Sequence, residues 1–194
     1  MRAFLGIALS NDARMSLERF EQALASAGAD VKWVEPAHVH VTLKFLDEIS
    51  QEQRHGVETL VGEIARRETP FTMRLDRVGA FPSLEAPRVI WVGLAEGQDV
   101  VRRLAEAIER EGAAIGLRKE ERPFSAHATI GRVRSSRRRE ALVQRLRETT
   151  WKVPPPWRAT SVTLYQSVLG QDGPTYTVLA ELPLASPSSI VDRP

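Results

Sequence analysis

Apolar and polar side chains alternate along residues 38–46 more regularly than anywhere else in the chain. Because a β-strand turns successive side chains to opposite faces, this pattern predicts a strand with one buried face and one polar face. The predicted buried face holds Val39, Val41, Leu43 and Phe45, and the predicted polar face holds His38, His40, Thr42 and Lys44. The imidazole of His40 and the hydroxyl of Thr42 should therefore point the same way.

The other hydrophobic patterns predict an α+β fold. A first helix should be capped by Asn11 or Asp12 and carry an apolar stripe that includes Met15. Ser50, with Gln53 three residues later, has the pattern of a capping box at the start of a second helix. Helices are predicted at about 12–27, 51–67, 99–114 and 136–148, and strands at about 3–9, 31–34, 38–46, 71–78, 89–94, 126–133, 161–169 and 175–182. Helices and strands do not alternate strictly, which favours mostly antiparallel sheets.

The tripeptide His-x-Thr occurs twice, at residues 40–42 and 127–129, and each copy lies in a predicted strand. A single copy is most simply explained by a half-buried histidine that bonds to its neighbours. Two copies on adjacent strands would bring two imidazoles and two hydroxyls together. Imidazole can give or take a proton near neutral pH, and hydroxyls can donate to phosphate oxygens. The pair therefore predicts metal-free acid–base chemistry on a phosphoester.

Composition narrows the range of functions. The chain has 194 residues, and 27 Lys and Arg against 25 Asp and Glu leave a net charge of +2, which neither requires nor excludes a polyanionic partner. There is no Cys, which excludes disulfides, thiolate catalysis and iron–sulfur clusters. No apolar stretch approaches the roughly 20 residues of a membrane span, so we expect a cytoplasmic protein without a membrane partner.

The domain organisation is predicted to be simple. We expect one bilobal domain over residues 1–184 and a disordered tail, rich in Ser and Pro, over residues 185–194. Each half of the domain holds one His-x-Thr strand, followed by a helix and further strands, which indicates a duplicated unit with pseudo-twofold symmetry. Nothing in the sequence indicates an obligate dimer, so we expect a monomer.

The residues around both motifs resemble the 2H phosphoesterases, and within them the bacterial and archaeal RNA 2′,3′-cyclic phosphodiesterases, historically called 2′-5′ RNA ligases. The similar segments are Trp33-Val34, Pro36, 38–46, 87–94, 123–132 and 167–176. The resemblance covers about residues 2–182 and departs from many relatives at Asp47, where they carry Gly. It implies the 2H phosphoesterase fold, in which two pseudo-symmetric lobes of mostly antiparallel sheet, with flanking helices, surround a central cleft.

The resemblance also implies a reaction, the hydrolysis of a terminal 2′,3′-cyclic phosphate on RNA to a 2′-phosphomonoester without a cofactor or metal. By analogy with the family, His40 is the proton donor and His127 the proton acceptor that activates water. The residues by themselves leave these two roles interchangeable, because the predicted site is nearly symmetric. Thr42 and Thr129 would hold the non-bridging phosphate oxygens and fix the in-line geometry.

Three basic features have more than one interpretation. Arg132 resembles a further phosphate contact of the family, but strand parity puts it on the face opposite His127 unless Gly131 marks a bulge or the strand ends there. A solvated or carboxylate-paired arginine fits this position as well. Lys44 could add positive potential on the His40 face or simply be exposed. The run at 134–139 could guide an RNA backbone or form the solvated start of a helix.

Two other functions compete with cyclic phosphodiesterase activity. The cleft could bind or ligate RNA ends through a 2′-5′ linkage, with incidental hydrolysis. His38 and His40 could ligate a metal, although no third ligand has a clear spacing. Aromatic residues could stack on a terminal base, although most are better explained as core residues. These aromatic candidates are Phe4, Phe45, Phe81, Phe124 and Tyr165.

Overall fold

The computed structural model describes residues 1–170 and 174–186 and confirms a mixed fold of helices and antiparallel strands. The helices are α1 (Asn11–Ala25), α2 (Gln51–Ala65), α3 (Gln98–Gly112) and α4 (Arg139–Glu148). The strands are β1 (Arg2–Ala8), β2 (Val31–Trp33), β3 (His40–Glu48), β4 (Phe71–Phe81), β5 (Val89–Glu96), β6 (His127–Val133), β7 (Trp157–Ala159), β8 (Ser161–Leu169) and β9 (Pro174–Pro183). The short strand β7 was not predicted.

The described strands form one sheet in the order β7-β4-β5-β6-β3-β1-β8-β9, with β2 also paired to β6. Every pairing is antiparallel among these strands. The two strands that carry His-x-Thr, β3 and β6, are neighbours at the centre of the sheet. β5 and β4 lie outward from β6 as β1 and β8 lie outward from β3, so the strand order has the predicted pseudo-twofold arrangement.

The hydrophobic core lies between the sheet and the helices. It includes Leu5, Val41 and Ala128 from the sheet and Leu104 from α3, and none of these side chains is more than 1% exposed. Since successive side chains of a strand alternate between faces, the histidines and threonines that flank Val41 and Ala128 project from the opposite face. The fold therefore uses one face of the sheet for stability and leaves the other for the candidate site.

A β-bulge in β3 changes which side chains face the core. The pairing with β1 skips Leu43, which is the extra residue between Thr42 and Lys44. Beyond the bulge the alternation reverses, so that Lys44 is only 6% exposed whereas Phe45 is 56% exposed. The predictions that Lys44 shares the face of His40 and that Phe45 is buried were wrong, because one extra residue shifts the strand parity.

The start of α1 also differs from the prediction. Ser10 caps the helix rather than Asn11 or Asp12, because the Ser10 hydroxyl accepts a hydrogen bond from the amide of Ala13 at 3.2 Å. Met15 is 52% exposed and does not belong to the buried stripe. The apolar period was read correctly for the rest of the helix, whose buried face includes Leu17, Phe20 and Leu24.

The starts of α2 and α4 are determined by residues close to them in the chain. The capping box of Ser50 and Gln53 is confirmed at α2, with both reciprocal hydrogen bonds present. Helix α4 begins at Arg139 rather than at Ser136, because Arg138 adopts a left-handed conformation with φ of 53° just before it. None of the helices within the described ranges is long and apolar enough to cross a bilayer.

The last described residues pack against the fold. Ala185 is buried, and its amide donates a hydrogen bond to the carbonyl oxygen of Glu68 at 2.8 Å. The packed structure thus includes Ala185, which the sequence assigned to the tail. Residues 187–194 of that predicted tail lie outside the described residues.

Candidate active site

The two His-x-Thr motifs meet at the centre of the sheet. Their middle residues, Val41 and Ala128, lie directly opposite each other in the antiparallel pairing of β3 with β6. Continued by one residue in each direction, this register sets each motif histidine opposite the threonine of the other motif. Directly opposite side chains share a face, with Cβ atoms about 4.5–5.5 Å apart. The side chains brought together in this way are His40, Thr42, His127 and Thr129.

Aromatic rings enclose the imidazole of His40. The ring of Phe4 stacks on it at a centroid distance of 4.4 Å and an interplanar angle of 24°. Tyr165 and Tyr176 lie 5.8 Å and 5.5 Å away. Nδ1 of His40 is 2.7 Å from the carbonyl oxygen of His38. Because a carbonyl can only accept a hydrogen bond, Nδ1 carries the hydrogen, and Nε2 is the nitrogen available for proton transfer.

The imidazole of His127 is oriented by an equivalent hydrogen bond. Its Nδ1 donates to the carbonyl oxygen of Ser125 at 2.8 Å, which is again the residue two positions earlier. Phe81 contacts the ring edge-on at a centroid distance of 5.2 Å, and Trp91 lies 6.1 Å away. Both imidazoles therefore have the same tautomer, and each is oriented by its own strand.

Burial lowers the pKa of both imidazoles. Loss of solvent lowers the pKa of His40 to about 4, although its hydrogen bond to the carbonyl of His38 favours the protonated ring. The pKa of His127 is also lowered, by burial first and then by the positive charge of Arg132, against the hydrogen bond to Ser125. In the absence of a bound anion, both rings are therefore neutral at pH 7.

Arg132 reaches the same cleft because β6 has a bulge at the position that corresponds to the bulge in β3. The pairing with β5 skips Ile130, so Thr129 and Arg132 lie on one face. The charge of Arg132 acts to lower the pKa of His127, and also that of Tyr176 against the raising effect of burial. The bulge that strand parity required is thus present, and it puts the exposed Arg132 on the face of His127.

Comparison with known proteins identifies the family. The sequence profile of the LigT-like phosphoesterases matches residues 7–91 and, a second time, residues 92–176. This chain belongs to the LigT-like phosphoesterases. Each of the two matched segments of this LigT-like chain contains one His-x-Thr motif, so the sequence repeat coincides with the symmetric strand order.

Individual relatives match over nearly the whole chain. An Aeropyrum pernix protein named RNA 2′,3′-cyclic phosphodiesterase is 34% identical over 170 residues, which make up 88% of this chain and 96% of that protein. A crystal structure of a Thermus thermophilus protein has a TM-score of 0.77 at 28% identity and covers 96% of this chain and 100% of its own. Escherichia coli LigT complexed with 3′-AMP has a TM-score of 0.73 at 26% identity and covers 95% and 98%. These matches confirm the expected 2H phosphoesterase fold.

Lys44 lies outside this LigT-like site. Its Nζ is 2.5 Å from the Glu109 carboxylate of α3 and 2.8 Å from the carbonyl oxygen of Arg118, on the helix side of the sheet. The pair of His38 and His40 has no further ligands, since no group of three or more His, Cys, Asp or Glu within residues 1–170 and 174–186 could hold a metal ion.

The basic run at 134–139 has contacts of its own. Arg134 forms an ion pair with Asp30 at 2.8 Å. The run leads directly into α4, which begins at Arg139. These contacts agree with the interpretation of the run as a solvated helix start that is anchored at one end.

Sequence reasoning missed the aromatic enclosure of the histidines in this LigT-like site. Tyr176 and Trp91 were not among the candidates, although the Tyr176 ring lies 5.5 Å from that of His40 and the Trp91 ring lies 6.1 Å from that of His127. Phe4 is 2% exposed, but it packs on the site face and not in the helix-side core. Phe4 lies between the core residues Ala3 and Leu5 in β1, so strand alternation already indicated that it faces the opposite side of the sheet.

Proposed function

We propose that this protein hydrolyses terminal 2′,3′-cyclic phosphates on RNA to 2′-phosphomonoesters, with its two motif histidines as the acid–base pair. The observation that carries the proposal is the antiparallel register of Val41 with Ala128, which places two neutral imidazoles and two hydroxyls on one face. Relatives that share about a third of the residues are named RNA 2′,3′-cyclic phosphodiesterases, and they support the same substrate class.

The reaction requires two proton transfers on opposite sides of phosphorus. A water oxygen forms a bond to phosphorus while the bond from phosphorus to O3′ breaks. We assign His127 as the base, whose Nε2 takes a proton from the attacking water, and His40 as the acid, whose Nε2 gives a proton to O3′. His127 ends the reaction protonated and His40 neutral, so exchange with solvent restores the starting state.

Substrate binding must supply the charge state that this mechanism needs. Both imidazoles are neutral in the free protein, whereas the acid has to carry a proton. The cyclic phosphate is an anion, and a nearby negative charge raises the pKa of an imidazole. Thr42, Thr129 and Arg132 are proposed to bind its non-bridging oxygens, which would hold the phosphorus between the two rings.

The pH dependence follows from these pKa directions. Activity needs one neutral and one protonated ring, so kcat/KM should be a bell-shaped function of pH. The two limbs of this curve report the pKa values of the two histidines in the free protein. Because both pKa values lie below the ordinary 6.5, the kcat/KM optimum should also lie below pH 6.5. The kcat optimum, which reports the bound complex, should lie at higher pH. Steady-state rates from pH 4 to 9 test this, and a kcat/KM optimum above pH 6.5 would contradict it.

A direct assay tests the activity itself. We expect the protein to convert adenosine 2′,3′-cyclic phosphate to adenosine 2′-phosphate in the presence of EDTA, with no 3′-phosphate, as followed by chromatography. Tight binding of an RNA with a cyclic phosphate end but no turnover would favour an RNA-end binding or 2′-5′ ligating protein. Loss of turnover in EDTA that a divalent ion restores would favour a metal-dependent hydrolase at His38 and His40.

The partner of the proposed reaction is an RNA end or nucleotide that carries a 2′,3′-cyclic phosphate. The proposal needs no cofactor, since the two histidines supply both proton transfers. The cytoplasmic location and the monomeric state remain predictions from the sequence.

A further inference from the structure

Two exposed cations, Lys32 and Arg132, form a basic pair, in which they lie directly opposite each other in the antiparallel pairing of β2 with β6. The next pair in the same register, Trp33 and Gly131, faces the helices. Trp33 packs against the core, and a side-chain carbon added at Gly131 would lie 3.0 Å from its ring. Since successive side chains of a strand alternate between faces, the basic pair projects from the opposite face, which carries the motif histidines.

The basic pair lies along the same side of β6 as the proposed acid. β5 occupies one side of β6, and β2 and β3 follow each other along the other side. Lys32 and His40 are therefore on the same side of β6, with residues 34–39 between their strands. Because His40 is assigned to protonate O3′, the ribose must lie next to it. An RNA chain that continues from this ribose along β2 would reach Lys32.

The positive charge of the basic pair is not neutralised by a carboxylate within residues 1–170 and 174–186, where neither member forms an ion pair. The acidic residues that flank β2 have other partners. Asp30 pairs with Arg134 at 2.8 Å, and a carboxylate oxygen of Glu35 lies 3.5 Å from Nδ1 of His38. Like charges directly opposite each other in a sheet are destabilising. A bound anion would remove this repulsion.

We propose that Lys32 binds the phosphodiester that joins the terminal nucleotide of an RNA to the nucleotide before it, an inference that rests on the proposed function. Arg132 is already assigned to the cyclic phosphate, so the Lys32 ammonium is the member of the basic pair that is left for a second anion. A lysine ammonium contacts phosphate as a point charge and carries no information about the base. The protein should therefore prefer an RNA end to a mononucleotide, whatever its sequence.

The test changes the charge of this phosphodiester alone. The dinucleotide ApA with a terminal 2′,3′-cyclic phosphate is compared with its methylphosphonate analogue, in which a methyl group replaces the charged oxygen of the internucleotide linkage. The unmodified protein should have the higher kcat/KM for the charged dinucleotide. In Lys32→Met the ratio of the two kcat/KM values should fall about fivefold, as expected for the loss of one exposed charge contact. Lys32→Arg should keep the ratio.

The salt dependence gives a second readout, which a purely structural role of Lys32 would not change. Loss of one phosphate contact should reduce the slope of log kcat/KM against log salt concentration by about 0.7 for the charged dinucleotide. Lys152 is an exposed lysine that follows α4, and Lys152→Met removes the same charge elsewhere. This control should leave both the ratio and the slope unchanged. Lys32→Met should stay folded, because it relieves a like-charge repulsion.

Two results would overturn the assignment of Lys32. One is a ratio in Lys32→Met equal to that of the unmodified protein, and the other is an equal loss for both dinucleotides. If the unmodified protein hydrolyses neither dinucleotide, the proposed function fails instead. The phosphodiester contact is then decided by calorimetry with ApA that carries a terminal 2′-phosphate. Lys32→Met should weaken binding of this compound but not of its methylphosphonate analogue, and unchanged binding of both would overturn the contact.

Discussion

Replacing either motif histidine by asparagine should reduce kcat by about 10²–10⁴-fold, because each replacement removes one of the two proton-transfer groups. Asparagine is chosen because its amide can keep the donor contact to the carbonyl of His38 or Ser125, while the site-facing Nε2 is lost. The variants His40→Asn and His127→Asn should therefore stay folded, with melting temperatures close to that of the unmodified protein. Initial rates with adenosine 2′,3′-cyclic phosphate measure the effect.

The double variant and a control sharpen this result. The two imidazoles act as one unit, so His40→Asn combined with His127→Asn should be little slower than the slower single variant. His55 is an exposed histidine of α2 that serves as the matched control, and His55→Asn should retain normal kcat. A folded His40→Asn protein with undiminished turnover would remove His40 from the mechanism.

Replacing Glu109 by leucine should lower the free energy of unfolding by about 3 kcal/mol, because it leaves the Lys44 ammonium buried without its counter-ion. The Lys44 side chain is 4% exposed, and its Nζ lies 2.5 Å from the Glu109 carboxylate. Glu109 also accepts a hydrogen bond from the amide of Glu120 at 2.8 Å, which the variant loses as well. Urea unfolding at pH 7 measures the change.

Removing the unpaired Lys44 ammonium as well should restore most of the lost free energy of unfolding. In the double variant Lys44→Met and Glu109→Leu, both charges are gone, and the unfolding free energy should return close to that of the unmodified protein. Glu96→Leu breaks the exposed pair with Arg74, in which both side chains are more than 40% exposed, and should cost less than about 1 kcal/mol. Equal losses in Glu109→Leu and Glu96→Leu would show that the burial of Lys44 is unimportant.

The effect of Glu109 should also depend on pH. Burial acts to raise the pKa of Glu109, but the hydrogen bonds from Lys44 and from the amide of Glu120 outweigh it, and the pKa is lowered in the folded protein. A carboxylate with a lowered pKa stabilises the fold above its ordinary value of 4.5, and the effect is lost as the pH falls through the folded value. The stability difference between Glu109→Leu and the unmodified protein should therefore shrink in acid.

Single-residue irregularities explain where the sequence reasoning succeeded and failed. The period-two pattern of residues 38–46 correctly predicted a strand, although the strand begins at His40 and His38 instead ends a short 3-10 helix (Pro36–His38). The pattern also predicted the shared face of His40 and Thr42, because both precede the bulge. The same pattern misplaced Lys44 and Phe45, which follow it. An extra strand residue leaves no clear mark in composition, since Leu43 fits either face as an apolar side chain.

The sequence by itself determined the kinds of chemistry available. Two His-x-Thr strands and the resemblance to 2H phosphoesterases were sufficient to predict a phosphoesterase of α+β fold. Local rules carry this information, because strand alternation and helix capping depend only on neighbours along the chain. The capping box at Ser50 was therefore predicted correctly as well.

Only the tertiary structure decided how the site is assembled. The pairing of Val41 with Ala128 joins segments 87 positions apart along the chain, and the rings around His40 come from β1, β8 and β9. Long-range pairing and burial lower the pKa values of His40 and His127. The strand bulges decide the face of the sheet on which Arg132 and Phe45 lie. These properties depend on which strands become neighbours and on where their registers slip, and no local pattern along the chain specifies either.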